Sequence, residues 1–267
     1  MDKEWRLDMV GAIKRNSARL VVAVFTAAAI CAAAAGTAGA EVVYNNVPSP
    51  LPGNFASIGL DATSSSQFGG QIELAGTARK NPVVTVVMSS WACESGTVES
   101  NCTTTKNKTF RVPVTVRIYG AGELSEAPYA EKTKTVKMQY RPSSNVAKCP
   151  SGEQWYDEAT KECSHGYAFP ITIKLKTKKM PKNAVITVSY PHATGPAQSL
   201  NVAVSEPPED TLSVGAHPVS EWVVDSTWGG MYGSAATDVG TLGFEEGLNS
   251  IEGEGIEYQP VIAVSAE

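Results

Sequence analysis

The chain is dominated by short runs in which apolar and polar residues alternate. Residues 71–75 (QIELA) alternate, a polar segment 77–82 follows, and residues 83–88 (VVTVVM) form an apolar, β-branched run, so the three together predict a hairpin. Residues 112–119 (VPVTVRIY) and 132–140 (KTKTVKMQY) repeat the period of two, with the connection between them starting at Ala121 and Gly122. Pro113 cannot donate to a ladder, which places its strand near an edge or at a strand start. Residues 171–176, 185–190 and 200–204 continue the series, and residues 260–264 read as a closing strand. Each run puts apolar residues on one face, as antiparallel strands do when one side covers a core. The gaps are short and contain proline, glycine or asparagine, and residues 47–54 (VPSPLPGN) are too rich in proline to be anything but extended. The predicted fold is all-β: an antiparallel, jelly-roll-like β-sandwich.

One segment departs from this pattern. Lys14, Arg15 and Arg19 precede an alanine-rich apolar run from Leu20 to Ala35, which ends in small residues and the triplet Ala38, Gly39, Ala40. That is the layout of a secretory signal peptide, with cleavage before Glu41. The apolar run is 16 residues, short of the roughly 20 a spanning helix needs, and Ile30 before Cys31 does not suit a lipoprotein site. The expected organisation is a signal peptide at 1–40 and a single β-sandwich domain at 41–267, secreted and with no membrane anchor in the mature chain. Residues 205–267, glycine-rich and acidic, are either strands of the sandwich or an extension of it.

Charge narrows the partners. The whole chain has a formal charge of -5, and removing a leader with five basic and three acidic residues takes it to -7. Nucleic acid is therefore excluded as a partner, because phosphate contacts need clustered Lys and Arg. Fifteen of the basic residues fall between Lys106 and Lys182, whereas residues 183–267 hold twelve acidic residues and no basic one. Such a division suits a solvated acidic surface, an acidic face for cations or a basic partner, or two parts that attract each other.

Four cysteines remain after cleavage: Cys93, Cys102, Cys149 and Cys163. In an exported chain they imply disulfides, with three connectivities open. Neighbour pairing is the simplest, and loop closure then gives each ring about 3 kcal/mol. The spacings do not resemble zinc knuckles, and neither a metal nor a cofactor is expected.

Catalytic patterns are thin. His165, His192 and His217 are scattered without a metal-binding spacing or a serine elbow, and His192 earns notice only because it follows a strand in a proline-bounded loop. Glu221, Asp225, Glu245 and Glu246 could supply a carboxylate pair, but a region so rich in acids offers such pairs by chance. Aromatic residues near the disulfides are more informative. Trp155 and Tyr156 lie inside the Cys149–Cys163 loop and Trp91 sits two residues before Cys93. Flat rings on disulfide-held loops suit stacking on a sugar or gripping a surface. Trp155, Tyr156, Trp91 and His192 are thus the candidate ligand-binding residues.

Several runs together resemble a group of uncharacterised exported bacterial β-sandwich proteins: residues 44–54 (YNNVPSPLPGN), 68–77 (FGGQIELAGT), 88–93 (MSSWAC), 140–143 (YRPS) and 199–202 (SLNV). The resemblance implies export and a β-sandwich and carries no catalytic residue or ligand. Some members of that group end in a membrane or sorting anchor, whereas Ala266 and Glu267 end this sequence without an apolar tail. The expected function is a secreted, non-catalytic protein that binds a glycan or cell-envelope component. An extracellular hydrolase of polysaccharide or ester and a purely structural envelope protein are the alternatives.

Overall fold

The computed structural model describes residues 39–61, 65–191, 195–205, 212–217, 222–226, 243–245, 248–249, 255–256 and 259–267. In chain order its strands are β1 (Glu41–Asn45), β2 (Ser57–Ile58), β3 (Ser65–Glu73), β4 (Val83–Ser90), β5 (Ser95–Thr97), β6 (Ser100–Thr103), β7 (Thr109–Gly120), β8 (Ala130–Gln139), β9 (Trp155–Tyr156) and β10 (Cys163–Ser164). They continue with β11 (Tyr167–Lys174), β12 (Asn183–Ser189), β13 (Leu200–Ser205), β14 (Trp222–Ser226), β15 (Gly243–Glu245), β16 (Leu248–Asn249), β17 (Gly255–Ile256), β18 (Gln259–Pro260) and β19 (Ile262–Ala266). Among the described residues a single 3-10 turn, Pro196–Ser199, interrupts them, and no helix is long and apolar enough to cross a membrane.

Two antiparallel sheets face each other across one core. The first is built around β4, which pairs with β11 along its whole length on one edge. Its other edge is shared end to end, with β13 opposite residues 88–90 and β19 opposite residues 83–86, while β1 lies outside β19. The second sheet has the order β15-β14-β3-β12-β7-β8. From β3 onward the chain passes repeatedly from one sheet to the other, in the manner of a jelly roll. The core is filled from both sides by residues such as Phe68, Ile72, Val84, Val86, Met88, Val114, Val116, Ile118, Ile171, Ile186 and Val202.

The run 83–88 is unbroken in its apolar character because β4 is covered on both faces. Val84, Val86 and Met88 face the core. Val87 faces the other way, where it joins Ala168, Ala203 and Val261 beneath Val47, Leu51 and Phe55. The extended, proline-rich segment therefore serves as a lid on the outside of the first sheet.

The predicted hairpin between 71–75 and 83–88 does not form. Its two strands lie in different sheets, β3 beside β12 and β4 beside β11. Leu74 is fully buried in the core at this corner, and the Arg79 guanidinium holds the turn by donating to the carbonyls of Leu74, Ala75, Gly76 and Ala78 at 2.7–3.1 Å. An apolar residue that must stay inside as the chain leaves β3 turns the connection across the sandwich.

The hairpin predicted between 112–119 and 132–140 is present as β7 and β8. Val112, Val114, Val116 and Ile118 face inward, and β12 stops opposite Thr115, so Pro113 lies where β7 has a neighbour on one side alone. Opposite Val114 and Val116, however, β8 carries Lys134 and Lys132, both exposed. Lys134 Nζ donates to Thr172 O on β11 at 3.2 Å, across the open side of the sandwich. Charge at inward positions of an edge strand discourages pairing with another copy.

Candidate functional site

The C-terminal end of β4, the N-terminal ends of β7 and β11, and the C-terminal end of β8 meet at one end of the sandwich, and both disulfides are there. Cys93 is bonded to Cys102, closing the β5–β6 hairpin, and Cys149 to Cys163, closing the loop that contains β9 and β10. This is the neighbour pairing expected from spacing. The two disulfides mark a protein that matures in an oxidising environment.

The segment after β8 ties the two loops together. Arg141 N–H donates to Ala92 O, Ser144 N–H to Cys102 O, and Asn145 N–H to Gln154 O, at 2.8–3.0 Å. The Arg141 side chain is fully buried between them. Its Nε donates to Pro142 O, and its Nη2 to Ser144 Oγ and Glu153 O, while Nη1 has no partner among the described residues. No carboxylate pairs with it among the described residues. Burial alone pushes the guanidinium down to about 10, so it stays charged at neutral pH.

Of the aromatic residues singled out from sequence, Trp155 is buried and Tyr156 and Trp91 are half-buried. Trp155 is 5% exposed, so it offers no ring to a ligand. Its indole N–H donates to Gly166 O at 2.6 Å and its ring meets Tyr167 edge-on at 5.5 Å. The loop has little else apolar to bury, and Trp155 acts as its core. Tyr156 is half-buried, with Lys148 Nζ 4.4 Å above its ring and Lys148 also paired with Glu158. Trp91 is half-buried and lies parallel to the His165 ring, centroids 5.7 Å apart. Trp91 Nε1 and Ser89 Oγ are buried and have no partner among the described residues. Both press on Gly166, where a Cβ would fall 2.8 and 2.5 Å from them, so a larger residue there would have to displace them.

His192 lies outside the described residues, as do Ala38 of the cleavage motif and the acids Glu221 and Glu246. Asp225 and Glu245 stand on β14 and β15, with their side chains outside the description. His217 is placed away from this end, its ring 3.0 Å from the buried Tyr44 hydroxyl. Among the described residues no three His, Cys, Asp or Glu come together to hold a metal.

What the loops enclose is a groove of about 260 Å³ between the turn at residues 104–108 and a wall of Gln139, Tyr140, Pro142, Ser143 and Tyr167. Its sides are pinned. Thr104 N–H donates to Ser143 Oγ at 2.9 Å, and that hydroxyl donates back to Thr104 O at 3.2 Å. Glu94 accepts from Thr105 N–H at 2.8 Å and pairs with Lys108 at 3.0 Å. The Thr105 amide first, and the Lys108 ammonium next, hold the Glu94 carboxyl down to about 2. Tyr140 rests against Phe110, ring centroids 4.7 Å apart. The groove thus presents hydroxyls, an amide, tyrosine rings and lysines. Ser143, its one serine, is occupied by backbone bonds, and His165 is engaged with Trp91.

Sequence reasoning did not find this groove. Its parts come from three separate segments, and the only local sign was the YRPS run after β8, to which no role could be given. No protein-family model, curated protein or solved structure matches the chain.

Two outcomes follow from the geometry. Replacing Arg141 with methionine strands Pro142 O and leaves much of the guanidinium's space unfilled, which should cost about 2–4 kcal/mol in urea unfolding. Lysine should not rescue it, because an ammonium cannot span three acceptors in a plane. A variant as stable as the parent would show that the disulfides alone hold the loops.

The second concerns acid. Glu94 has a folded value below the ordinary 4.5, so its stabilising effect is present above that value and lost as pH falls from about 4.5 towards 2. Thr105 amide protection should therefore survive at pH 4 and disappear near pH 2, as followed by NMR. A Glu94 titration midpoint between 4 and 5 would contradict the contacts described here.

Proposed function

We propose that the protein is exported and acts as a non-catalytic β-sandwich that binds a glycan or other cell-envelope surface. The observation that carries this reading is the groove: tyrosine side chains beside hydroxyl and amide groups suit a sugar ring, apolar on its faces and polar at its rim. The walls are held by disulfides and backbone bonds before any ligand arrives, so binding loses little freedom. In this reading Tyr140 takes the stacking role that the sequence had suggested for Trp155, beside Tyr167, whose ring packs on Trp155 and Phe169. The engagement of Ser143 and His165 favours binding over hydrolysis.

The test is retention of the intact protein on a polysaccharide and envelope panel, run beside a hydrolase screen on the same materials. Tyr140→Ala should weaken retention by about 5- to 150-fold, the loss of one stacking ring worth about 1–3 kcal/mol by analogy with base stacking. Because Tyr140 also packs on Phe110, Gln139→Ala provides a second variant that removes only a polar group of the groove. Unchanged retention by both variants would reject the groove as the site. Release of new reducing ends would favour the hydrolase.

Export is supported by the basic and apolar leader, the disulfides and the resemblance to exported β-sandwich proteins. The first described strand starts at Glu41, paired with Ala266, so cleavage after Ala40 leaves that strand intact. N-terminal sequencing of protein recovered outside the cytoplasm should begin at Glu41, and a retained leader would refute processing at this site.

A further inference from the structure

The groove's charges are not balanced. Lys108 is neutralised by Glu94 at 3.0 Å. Lys106, exposed on the same turn, makes no ion pair or hydrogen bond among the described residues. Behind the wall, between the lining residues Tyr140 and Pro142, Arg141 is buried with no carboxylate partner among the described residues and with Nη1 unpaired. A buried charge is screened far less than a surface one, so its field reaches the groove. Two lysines and a guanidinium therefore meet one carboxylate, in a chain whose formal charge is -5 overall. The net charge of the chain does not attract polyanions, so the attraction comes from a local excess of basic groups such as this one.

We propose that the groove selects an acidic saccharide, a sugar bearing a carboxylate or a phosphate, with Lys106 as the residue that pairs with the acid group. The inference rests on the glycan reading above and adds the ligand's charge to it. At about 260 Å³ the groove falls just below the roughly 300–1,000 Å³ of sites for drug-sized ligands, so it takes one acidic residue of a longer chain. Tyr140 holds the ring and Lys106 reads its substituent. Arg141, locked by Pro142 O, Ser144 Oγ and Glu153 O, acts from behind the wall as a positioning residue.

The experiment compares affinity of the intact protein for polygalacturonate and for its fully methyl-esterified form, which keeps the backbone and removes the charge. A poly(glycerol phosphate) teichoic acid forms the phosphate arm. One or both acidic polymers should bind, the ester should bind at least about fivefold more weakly, and the tighter arm identifies the acid group. Lys106→Gln should bring acid binding down to the ester level, about fivefold, the upper range for an exposed ion pair, and leave the ester unaffected. Lys132→Gln, on β8 at the side of the sandwich, serves as the control and should change neither. Equal binding of acid and ester overturns charge selection while leaving the glycan reading intact. An equal loss with Lys132→Gln overturns the assignment to Lys106. Retention on none of the polymers, acidic or neutral, overturns both.

Discussion

The end of the sandwich that carries the groove depends on a buried guanidinium with no counter-charge among the described residues. Two disulfide-closed loops supply few apolar side chains, so they cannot be held against the β-sandwich by burial alone. Arg141 supplements the little burial that Trp155 provides with hydrogen bonds to Pro142 O, Ser144 Oγ and Glu153 O. Its desolvation is the cost, visible in a value pushed down to about 10. Lysine would be a poor substitute, since its single ammonium can lose its proton on burial, whereas guanidinium keeps its charge and reaches several acceptors at once. Because the backbone of Arg141 also binds Ala92 O, and Ser144 binds Cys102 O, the same short segment fixes both loops and places Pro142 and Ser143 in the groove wall.

Much of the architecture was readable from periodicity. The strands at 112–119, 132–140, 171–176, 185–190 and 200–204 appear where alternation put them, because an antiparallel strand with one buried face leaves that signature. Alternation marks a strand without naming its partner, and there the reading failed. The polar residues of 77–82 look like a hairpin turn, yet Leu74 must remain in the core and Arg79 wraps the carbonyls around it, so the chain crosses to the other sheet. Likewise Lys132 and Lys134 have the correct spacing for inward positions and the wrong chemistry. Only the finding that β8 is an edge strand, with β11 across the gap, explains them.

The site was legible in part. Cysteine spacing gave the disulfide pairs because each closes a short ring around its own hairpin or ladder. Trp155 was expected to face outward because a sequence cannot say whether an aromatic residue in a loop is that loop's platform or its core. Its bond to Gly166 O, eleven residues on, decides the matter. The groove itself was hidden for a different reason. A turn of threonines, lysines and asparagine at 103–108 is indistinguishable from any solvated turn until Glu94 and Ser143 are seen to pin it.

The uneven charge of the chain also has a more specific meaning than one basic face. Among the basic residues between Lys106 and Lys182, Lys132 and Lys134 guard an open edge, Arg117 pairs with Glu131 at 2.6 Å, and Arg141 supplements a core. These side chains are committed to the fold, and their charge is screened, paired or buried. Lys106 has no such task among the described residues, yet it sits on a turn of the groove that Glu94 and Ser143 pin. A charged residue whose backbone is fixed while its head group is unengaged has lost part of its freedom in advance, and less remains to be lost when a ligand arrives. The rigidity that the loops need in order to fold is thus the same rigidity that makes the groove a competent binding surface.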